Sequence, residues 1–453
     1  MSAQAEERLD PAPIPGRPAS VVRTDLAPAP DAPKRPFRSS SWRVLEQRTF
    51  RAYFVGCTTS NLGTWLQNTA QLILAYRLTH SVLAVAVITS AQFSGFLTIG
   101  PWAGSLGARL GRRNVLFATQ VFSAAVTGAL AGIEFTGHLT ESELFLGALG
   151  TGFALTFALP VQSAMVSALV PEDNKKAALA MNSVSYNTGR TLAPLACLAV
   201  LATMGPAWAF ALNSLSFGVF AGIVAFVYPS GVIAEPAGLR RWDIFTFAFR
   251  RPRILLLLVM VACVTFADDP ILVLGPSLAH QLHIPSFWPA YFLAALGVGT
   301  ILGAIVPAKP IDTERATRRA AIPLALLAIS VVVFAAGFSA WISVFAAIVA
   351  GAMGLLTGSA AQALLLKWAG PGHAVEVMAL WAVAWAGTKP IASLTDGLVA
   401  SHLGIQAAAM LLALPALAIA IPEIFLRSTR KAQLKVQMSR WNGTQPLTHP
   451  SAR

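Results

Sequence analysis

Two neighbouring acids, Asp268 and Asp269, stand in the middle of "VACVTFADDPILVLGPSLA", residues 261–279, a run otherwise fit only for a hydrocarbon environment. Lys389, in "VAWAGTKPIASLTDG", and Arg190, in "SYNTGRTLAP", interrupt two further apolar stretches. An aspartate at the centre of a bilayer helix costs about 2.5–3.5 kcal/mol on insertion scales, so each acid needs compensation. Counted from the start of its stretch at about 1.5 Å per residue, each of the four lies near the middle of a hydrocarbon core about 30 Å thick. Two acids and two bases at one depth can neutralise one another across a polar cavity. They can serve as permanent salt bridges that specify the fold, or as working groups. An acid that exchanges partners between two conformations picks up and releases a proton. A guanidinium holds a carboxylate or phosphate by paired hydrogen bonds.

Adjacent helical residues point about 100° apart, so Asp268 and Asp269 are expected to face different partners, one the cavity and one a neighbouring helix. Pro270 removes the hydrogen bond to the Phe266 carbonyl, and Gly275-Pro276 weakens the helix again, so a kink or break is expected there. Freed carbonyls beside two carboxylates would make a proton, cation or donor-binding site. Asp396 lies nearer the outer end of its stretch, where a solvated polar face or a helix-end role is expected.

Asn61, Asn68 and Gln71 share one face of the first apolar stretch, with Gln67 beside them and Trp65 and Tyr76 nearby. This stripe reads as a cavity lining or as hydrogen-bonding glue between helices. Asn182, Asn187 and Asn213 read equally well as glue, and Gln362 as a lining residue of the cavity's inner mouth. The glycines of "GALGTGF" and "GVGTILGA" are spaced for close helix packing. Cys57, Cys197 and Cys263 read as small packing residues. His280, His283 and His402 are too scattered for a metal site, and none is expected.

Positioning these groups falls to an all-helical membrane scaffold. Over 453 residues, 55 % are apolar, 12 % are charged and the mean hydropathy is +0.62, which excludes a soluble protein of this size. Windows of about 20 apolar residues, the length of a transmembrane helix, begin near Tyr53, Val82, Val115, Leu144, Ala177, Ala207, Ile254, Trp288, Ala321, Trp341, Ala374 and Ile405. The fold class is therefore an all-α integral membrane protein with twelve transmembrane helices; the alternating strands of an outer-membrane barrel are absent from the pattern. Residues 1–41, rich in Pro, Ala and charge, are expected to form a disordered tail. A six-helix half is expected over 42–228, a central loop over 229–252, a second half over 253–428 and a tail over 429–453. Lys and Arg collect between alternate windows, as at Arg109, Arg112, Arg113, Lys175, Arg250 and Arg253, which places those loops and both termini in the cytoplasm. The net charge of +13 is mostly this bias, so nucleic acid is not an expected partner.

The loop "GPWAGSLGARLGRRNVLF" after the second window resembles the signature loop of the major facilitator superfamily, with Gly104, Leu106, Arg109, Gly111, Arg112 and Arg113 in the matching places. The acid usual before the first arginine is replaced by Ala108, which removes one member of the family's cytoplasmic charge relay. The glycines still allow a tight turn, and the basic cluster still suits helix ends or lipid phosphates. "LGTWLQNTAQLILAYRLTHSVLAVAV" and "ALVPEDNKKAALAMNSVSYNTGRTLAPLACLAV" resemble the drug and siderophore exporter branch, with the enterobactin exporter type among its members. "LPVQSAM" departs from that branch, placing Val161 and Gln162 where a Pro-Ala-Arg-Gln turn is common.

The resemblance implies two six-helix halves of the major facilitator fold rocking around a midplane site. It implies a monomer in a bacterial cytoplasmic membrane, in contact with its lipids, that takes a small-molecule substrate. No phosphate-cradling Gly-rich loop ending in Lys-Ser/Thr and no catalytic cluster appears, so neither cofactor nor enzymatic activity is expected. The expected function is proton-driven efflux of small amphiphilic molecules, with Asp268 and Asp269 as coupling acids and Asn61, Asn68, Gln71, Arg190, Lys389 and Gln362 at the cavity. Uptake or facilitated diffusion, and a transport-inactive membrane sensor or scaffold, are the alternatives.

Overall fold

The computed structural model of the chain describes residues 42–100, 103, 110–227, 246, 248–306, 316–370 and 373–442. The tail expected at 1–41, the loop residues Gly104, Leu106 and Arg109, and 229–245 of the central loop lie outside the described residues. Each apolar window holds a helix: α1 (Arg48–Thr79), α2 (Val82–Thr98), α3 (Arg112–Phe135), α4 (Glu141–Ala168), α5 (Lys175–Thr203) and α6 (Pro206–Val227) in the first half. The second half holds α7 (Pro252–Val273), α8 (Trp288–Ile305), α9 (Ala316–Ala336), α10 (Ala340–Ala369), an interrupted α11 (Ala374–Ala382 and Lys389–Leu403) and α12 (Ile405–Asn442). The last of these carries helix well past residue 428, where the second half was expected to end.

Local chemistry sets several of these boundaries. The Ser81 and Ser339 hydroxyls accept hydrogen bonds from the backbone N–H of Ala84 and Ile342 at the starts of α2 and α10. Thr140 and Glu143 form a reciprocal capping box before α4. His80 takes a left-handed conformation, φ 50°, to end α1 one residue before that serine cap.

Eight of the helices are long and apolar enough to cross a membrane by length and composition alone. The remaining four are α1, α2, α5 and α11, and the reason is positional. Helix α2 has only 17 residues, α1 and α5 carry stripes of Asn, Gln, Ser and Thr, and α11 is broken in its middle. The outward face of the bundle is oily: Phe226, Trp341, Phe345 and Leu215 expose 92, 74, 67 and 65 % of their surface. That distribution suits hydrocarbon as the solvent and keeps polar groups for the interior.

Within the first half, α1 packs on α5 and α6, and α4 on α2 and α3; within the second, α10 packs on α7, α8 and α9. The halves meet along two seams, α2 with α11 and α5 with α8. Moving each helix on by six exchanges these seams, the relation expected of two duplicated six-helix halves.

In lipid no hydrophobic drive brings helices together, so close approach depends on small residues. Gly152 on α4 lies against the Gln92 carbonyl of α2, and Gly351 on α10 lies against the Leu296 carbonyl of α8, one contact in each half at equivalent helix pairs. Each seam has its own glycine. A Cβ on Gly297 of α8 would stand 2.6 Å from Thr191 Cα on α5, and one on Gly397 of α11 would run into Ala86 of α2. The packing role expected of the glycine-rich stretches is thus met.

A methyl group at Gly152 has only backbone to displace, so Gly152→Ala should destabilise by about 1–3 kcal/mol or more, as overpacked cores do. Gly132 faces nothing within 4 Å, and Gly132→Ala should instead gain up to about 1 kcal/mol of helix propensity. Thermal unfolding of the two variants in one detergent checks the opposite signs.

Candidate functional site

The four charged residues of the apolar stretches converge at the centre of the bundle. Arg190 lies one residue from the middle of α5, Lys175–Thr203. A short helix, Gly275–Gln281, continues α7 after a break at Leu274, and Asp268 and Asp269 lie near the middle of that composite span. Lys389 lies at the middle of α11. The Arg190 guanidinium donates to Asp268 Oδ2 at 2.8 Å, an ion pair that joins the first half to the second. Lys389 Nζ stands 3.6 Å from Asp269 Oδ1, inside the second half. The two acids face different helices, as their 100° offset requires. Asp268 is partly open, whereas Asp269 has no exposed surface.

The helix that bears the two acids, α7, and the helix that bears Lys389, α11, are interrupted at this depth, whereas α5 runs unbroken through Arg190. Pro270 is taken into α7, and the helix breaks at Leu274 before resuming at Gly275-Pro276. In α11 the residues Val383–Gly387 form a turn of π-helix directly before Lys389-Pro390. A proline has no N–H to give, so the turn before it widens, and the extra residue changes the direction in which Lys389 points. Side chains on neighbouring helices occupy backbone acceptors at this irregularity. Thr265 Oγ1 donates to the Trp385 carbonyl at 2.9 Å, and Ser90 Oγ to the Pro390 carbonyl at 2.8 Å. Irregular backbone at membrane depth is tolerated under such cover.

Aromatic faces complete the surroundings. Arg190 lies over the Trp65 ring at 5.8 Å and Lys389 over the Phe93 ring at 5.2 Å, both within cation–π range. Trp65 packs edge-on against Tyr186, Tyr186 against Trp385, and Trp385 stacks on Trp381 at 6.0 Å. Trp65, Arg190, Asp268, Leu272, Leu293, Leu296 and Lys389 line a central cavity with about 10 Å³ for the centre of a water molecule, room for one water. Organic ligands need about 300–1,000 Å³, so this conformation is closed around the ionic layer. Arg190 Nε is buried without a hydrogen-bond partner among the described residues, leaving a donor in the cavity wall.

The other expected site residues separate into groups. Asn61 Nδ2 donates to Ser185 Oγ at 2.9 Å, tying α1 to α5. Asn68 accepts from Gln92 at 2.8 Å, tying α1 to α2. Asn213 donates to Gln67 at 2.6 Å, tying α6 to α1. These amides tie helices together, which is compatible with either use their spacing allowed. Gln71 is buried, and its side-chain oxygen has no hydrogen-bond partner among the described residues. Gln362 reaches Met378 Sδ on α11 at 3.7 Å, away from the ionic layer. Of the glycine-arginine loop, Gly111 has φ 86° before α3, and Arg113 donates to the Ala225 carbonyl at the end of α6. A cation at a helix C-terminus is the arrangement the dipole favours; Arg112 follows Gly111 as the first residue of α3.

Asp396 overturns an expectation. It has no exposed surface, and neither carboxylate oxygen has a hydrogen-bond partner among the described residues. Lys389, Ser393 and Asp396 are spaced four and three apart and so share one face of α11. That face turns inward, while Ile391, Leu394 and Leu398 turn out. Distance from the helix end implied solvation, but direction around the helix decided burial. The spacing Lys-x-x-x-Ser-x-x-Asp was the available signal. Among the described residues no cluster of three or more His, Cys, Asp or Glu is placed to hold a metal.

Comparison with known proteins identifies the family and the fold. A family model described as transmembrane secretion effector, a major facilitator family, matches residues 39–448. An uncharacterized MFS-type transporter, YhjO of Bacillus subtilis (strain 168), is 28 % identical over 209 residues, 46 % of this chain and 50 % of the relative. The enterobactin exporter EntS of Shigella flexneri is 25 % identical over 283 residues, 59 % of this chain and 64 % of the relative. The chain thus spans between half and two-thirds of the length of these relatives. Among solved structures, an inward-facing, occupied bacterial homologue of the human lysosomal transporter Spinster superposes with a TM-score of 0.65 at 12 % identity, covering 85 % of this chain and 97 % of that one. A mutant of the nucleoside transporter NupG gives 0.66 at 13 % identity, over 83 and 98 % of the two chains. These two likenesses speak for the fold alone. With its two six-helix halves, its central charged layer and a family match across nearly its whole length, the chain belongs to the major facilitator superfamily of membrane transporters, in the family described as transmembrane secretion effectors.

Proposed function

We propose that the protein exports small amphiphilic molecules across the cytoplasmic membrane in exchange for protons, by alternating access. The observation that carries this reading is the Arg190–Asp268 ion pair, because its partners belong to different halves and meet at mid-depth. Rocking the halves apart at that depth separates the pair, and a buried carboxylate that loses its cation must gain a proton or another cation. Asp268 thereby couples the movement of the halves to proton traffic, and Asp269 with Lys389 holds the second charge pair in the same layer.

The rest of the site fits an amphiphile. Trp65, Phe93, Tyr186 and Trp385 offer flat apolar surface, and Arg190 and Lys389 offer positive charge to an anionic group. The basic loops assign both termini to the cytoplasm. At the opposite end the Tyr76 and His280 rings stand 6.2 Å apart across the two halves, a contact between the halves on that side that fits loading from the cytoplasm. Similarity to an enterobactin exporter also favours the outward direction.

The deciding measurement uses inverted membrane vesicles, an imposed proton gradient, and a panel of cationic dyes, antibiotics and catechol or hydroxamate chelators. Wild type should accumulate at least one class of compound while the gradient falls, and Asp268→Asn should abolish the coupled movement while still being inserted and folded. Entry of compound only up to the outside concentration, without any change in the gradient, would rule out proton exchange and leave facilitated diffusion.

A second comparison separates coupling from scaffolding. Arg190→Leu leaves Asp268 without its cation and should cost about 3–5 kcal/mol, whereas Arg190→Leu combined with Asp268→Leu should recover most of that stability. Thermal unfolding in detergent checks this. Transport should stay lost in the stable double variant; its return would make the pair a purely structural bridge.

A further inference from the structure

The burial of Asp396 changes the charge balance of the layer. Asp268, Asp269 and Asp396 are three acids, and Arg190 and Lys389 are two bases. Asp268 is neutralised by Arg190 at hydrogen-bond distance. That leaves Asp269, with Lys389 3.6 Å away, and Asp396, both without exposed surface and close enough for their charges to interact, and Lys389 as the one cation on their side of the layer. Among the described residues the packed surroundings supply no other base at this depth. Helix α2, residues 320–336 of α9, 340–366 of α10 and 405–422 of α12 contain no ionisable side chain, Arg318, Arg319 and Lys367 lie at the ends of α9 and α10, Tyr186 faces Arg190 and Asp268, and the remaining titratable group of the middle of α7 is the buried thiol of Cys263.

Two buried carboxylates beside one ammonium leave an excess negative charge in a medium where an unpaired ion costs many kcal/mol. A proton removes it. The hydrogen-bonding pattern points the same way: both oxygens of Asp269, both of Asp396 and the Oγ of Ser393 are buried without a hydrogen-bond partner within normal distance among the described residues, the Lys389 ion pair of Asp269 apart. Ser393 has no exposed surface and lies beside Asp269, on the α11 face that carries Lys389 and Asp396. The lining of the central cavity includes Asp268 and Lys389 but neither Asp269 nor Asp396. A metal cation would need several oxygen ligands arranged around it, whereas a proton needs one lone pair and no space.

We infer that Asp269 and Asp396 form a carboxyl pair that stores one exchangeable proton, with Ser393 as its hydrogen-bonding bridge and Lys389 as its counter-charge. Resting on the proposed proton exchange, this places the stored proton on the α7–α11 side of the layer. The Arg190–Asp268 pair is then the element that opens. When Arg190 leaves Asp268, the stored proton has a second acid one residue away to move to. No covalent bond between heavy atoms forms or breaks; a proton leaves one carboxyl oxygen and arrives at another.

Infrared difference spectroscopy of the purified full chain in lipid nanodiscs, in sodium-free buffer near neutral pH, reads the protonated carboxyl directly through its C=O band and the shift of that band in D2O. Wild type and Asp268→Asn should both show the band. Asp269→Asn and Asp396→Asn should each lose it, since either substitution leaves one acid for Lys389, and Asp396→Glu should keep a shifted band. Wild type without a protonated-carboxyl band, or a band undiminished in both Asn variants, would overturn the proposal. So would a wild-type band that sodium ions remove at constant pH, which would make the pair a sodium site. Vesicles that move no compound while the band is present would count against export and leave the proton pair intact; coupled transport without the band would do the reverse.

Discussion

A charge surrounded by hydrocarbon has to be met by another charge, and in this protein the partners are on different helices. Arg190 on α5 meets Asp268 on α7, and Lys389 on α11 meets Asp269 on α7. The central helix α7 is thus held from both sides, once across the boundary between the halves and once within the second half. Because both pairs are largely withdrawn from solvent, the relative placement of three helices is tied to the charge state of one layer. A change in that charge state is a change in the forces between the halves.

Local irregularity is what allows those side chains to meet. A regular α11 would carry Lys389 in a direction fixed by its 3.6-residue repeat; the π-helical turn Val383–Gly387 alters that direction. The bend at Leu274 lets the last two turns of the composite span lean toward α1, where His280 meets Tyr76. Each irregularity frees backbone groups that lipid could not satisfy. Thr265 and Ser90 engage carbonyls around the α11 irregularity from neighbouring helices, so the interruptions sit where protein surrounds them.

Around the layer, packing divides into stiff and separable parts. The side-chain amide hydrogen bonds Asn61–Ser185, Gln92–Asn68 and Asn213–Gln67 lie inside the first half. The glycine contacts α2–α4 and α8–α10 lie inside one half each. Between the halves, the seams α2–α11 and α5–α8 each rest on one glycine beside a charged residue, Gly397 next to Asp396 and Gly297 against the residue after Arg190. A smooth contact of that kind can part and close again without breaking interlocked side chains. The arrangement gives two bodies that stay whole and a boundary whose strongest single tie is an ion pair.

By itself the sequence determined whatever depends on position along the chain. The apolar windows placed twelve helices, the glycine spacing marked close contacts that the packing contains, Pro270 and Gly275-Pro276 marked the interruption of α7, and depth counting put Arg190, Asp268, Asp269 and Lys389 in one layer. The polar stripe of α1 was legible as a stripe, but not as cavity lining or glue, since both uses ask for the same residues. What only the tertiary structure decided is direction around each helix and the identity of its neighbours. It assigned Arg190 to Asp268 and Lys389 to Asp269, gave Asn61 and Asn68 their partners on α5 and α2, and turned Asp396 from an expected solvated end group into a fully buried acid. Hydropathy and rise per residue measure depth in the membrane, whereas pairing depends on angle, and angle is set by the helices that pack alongside.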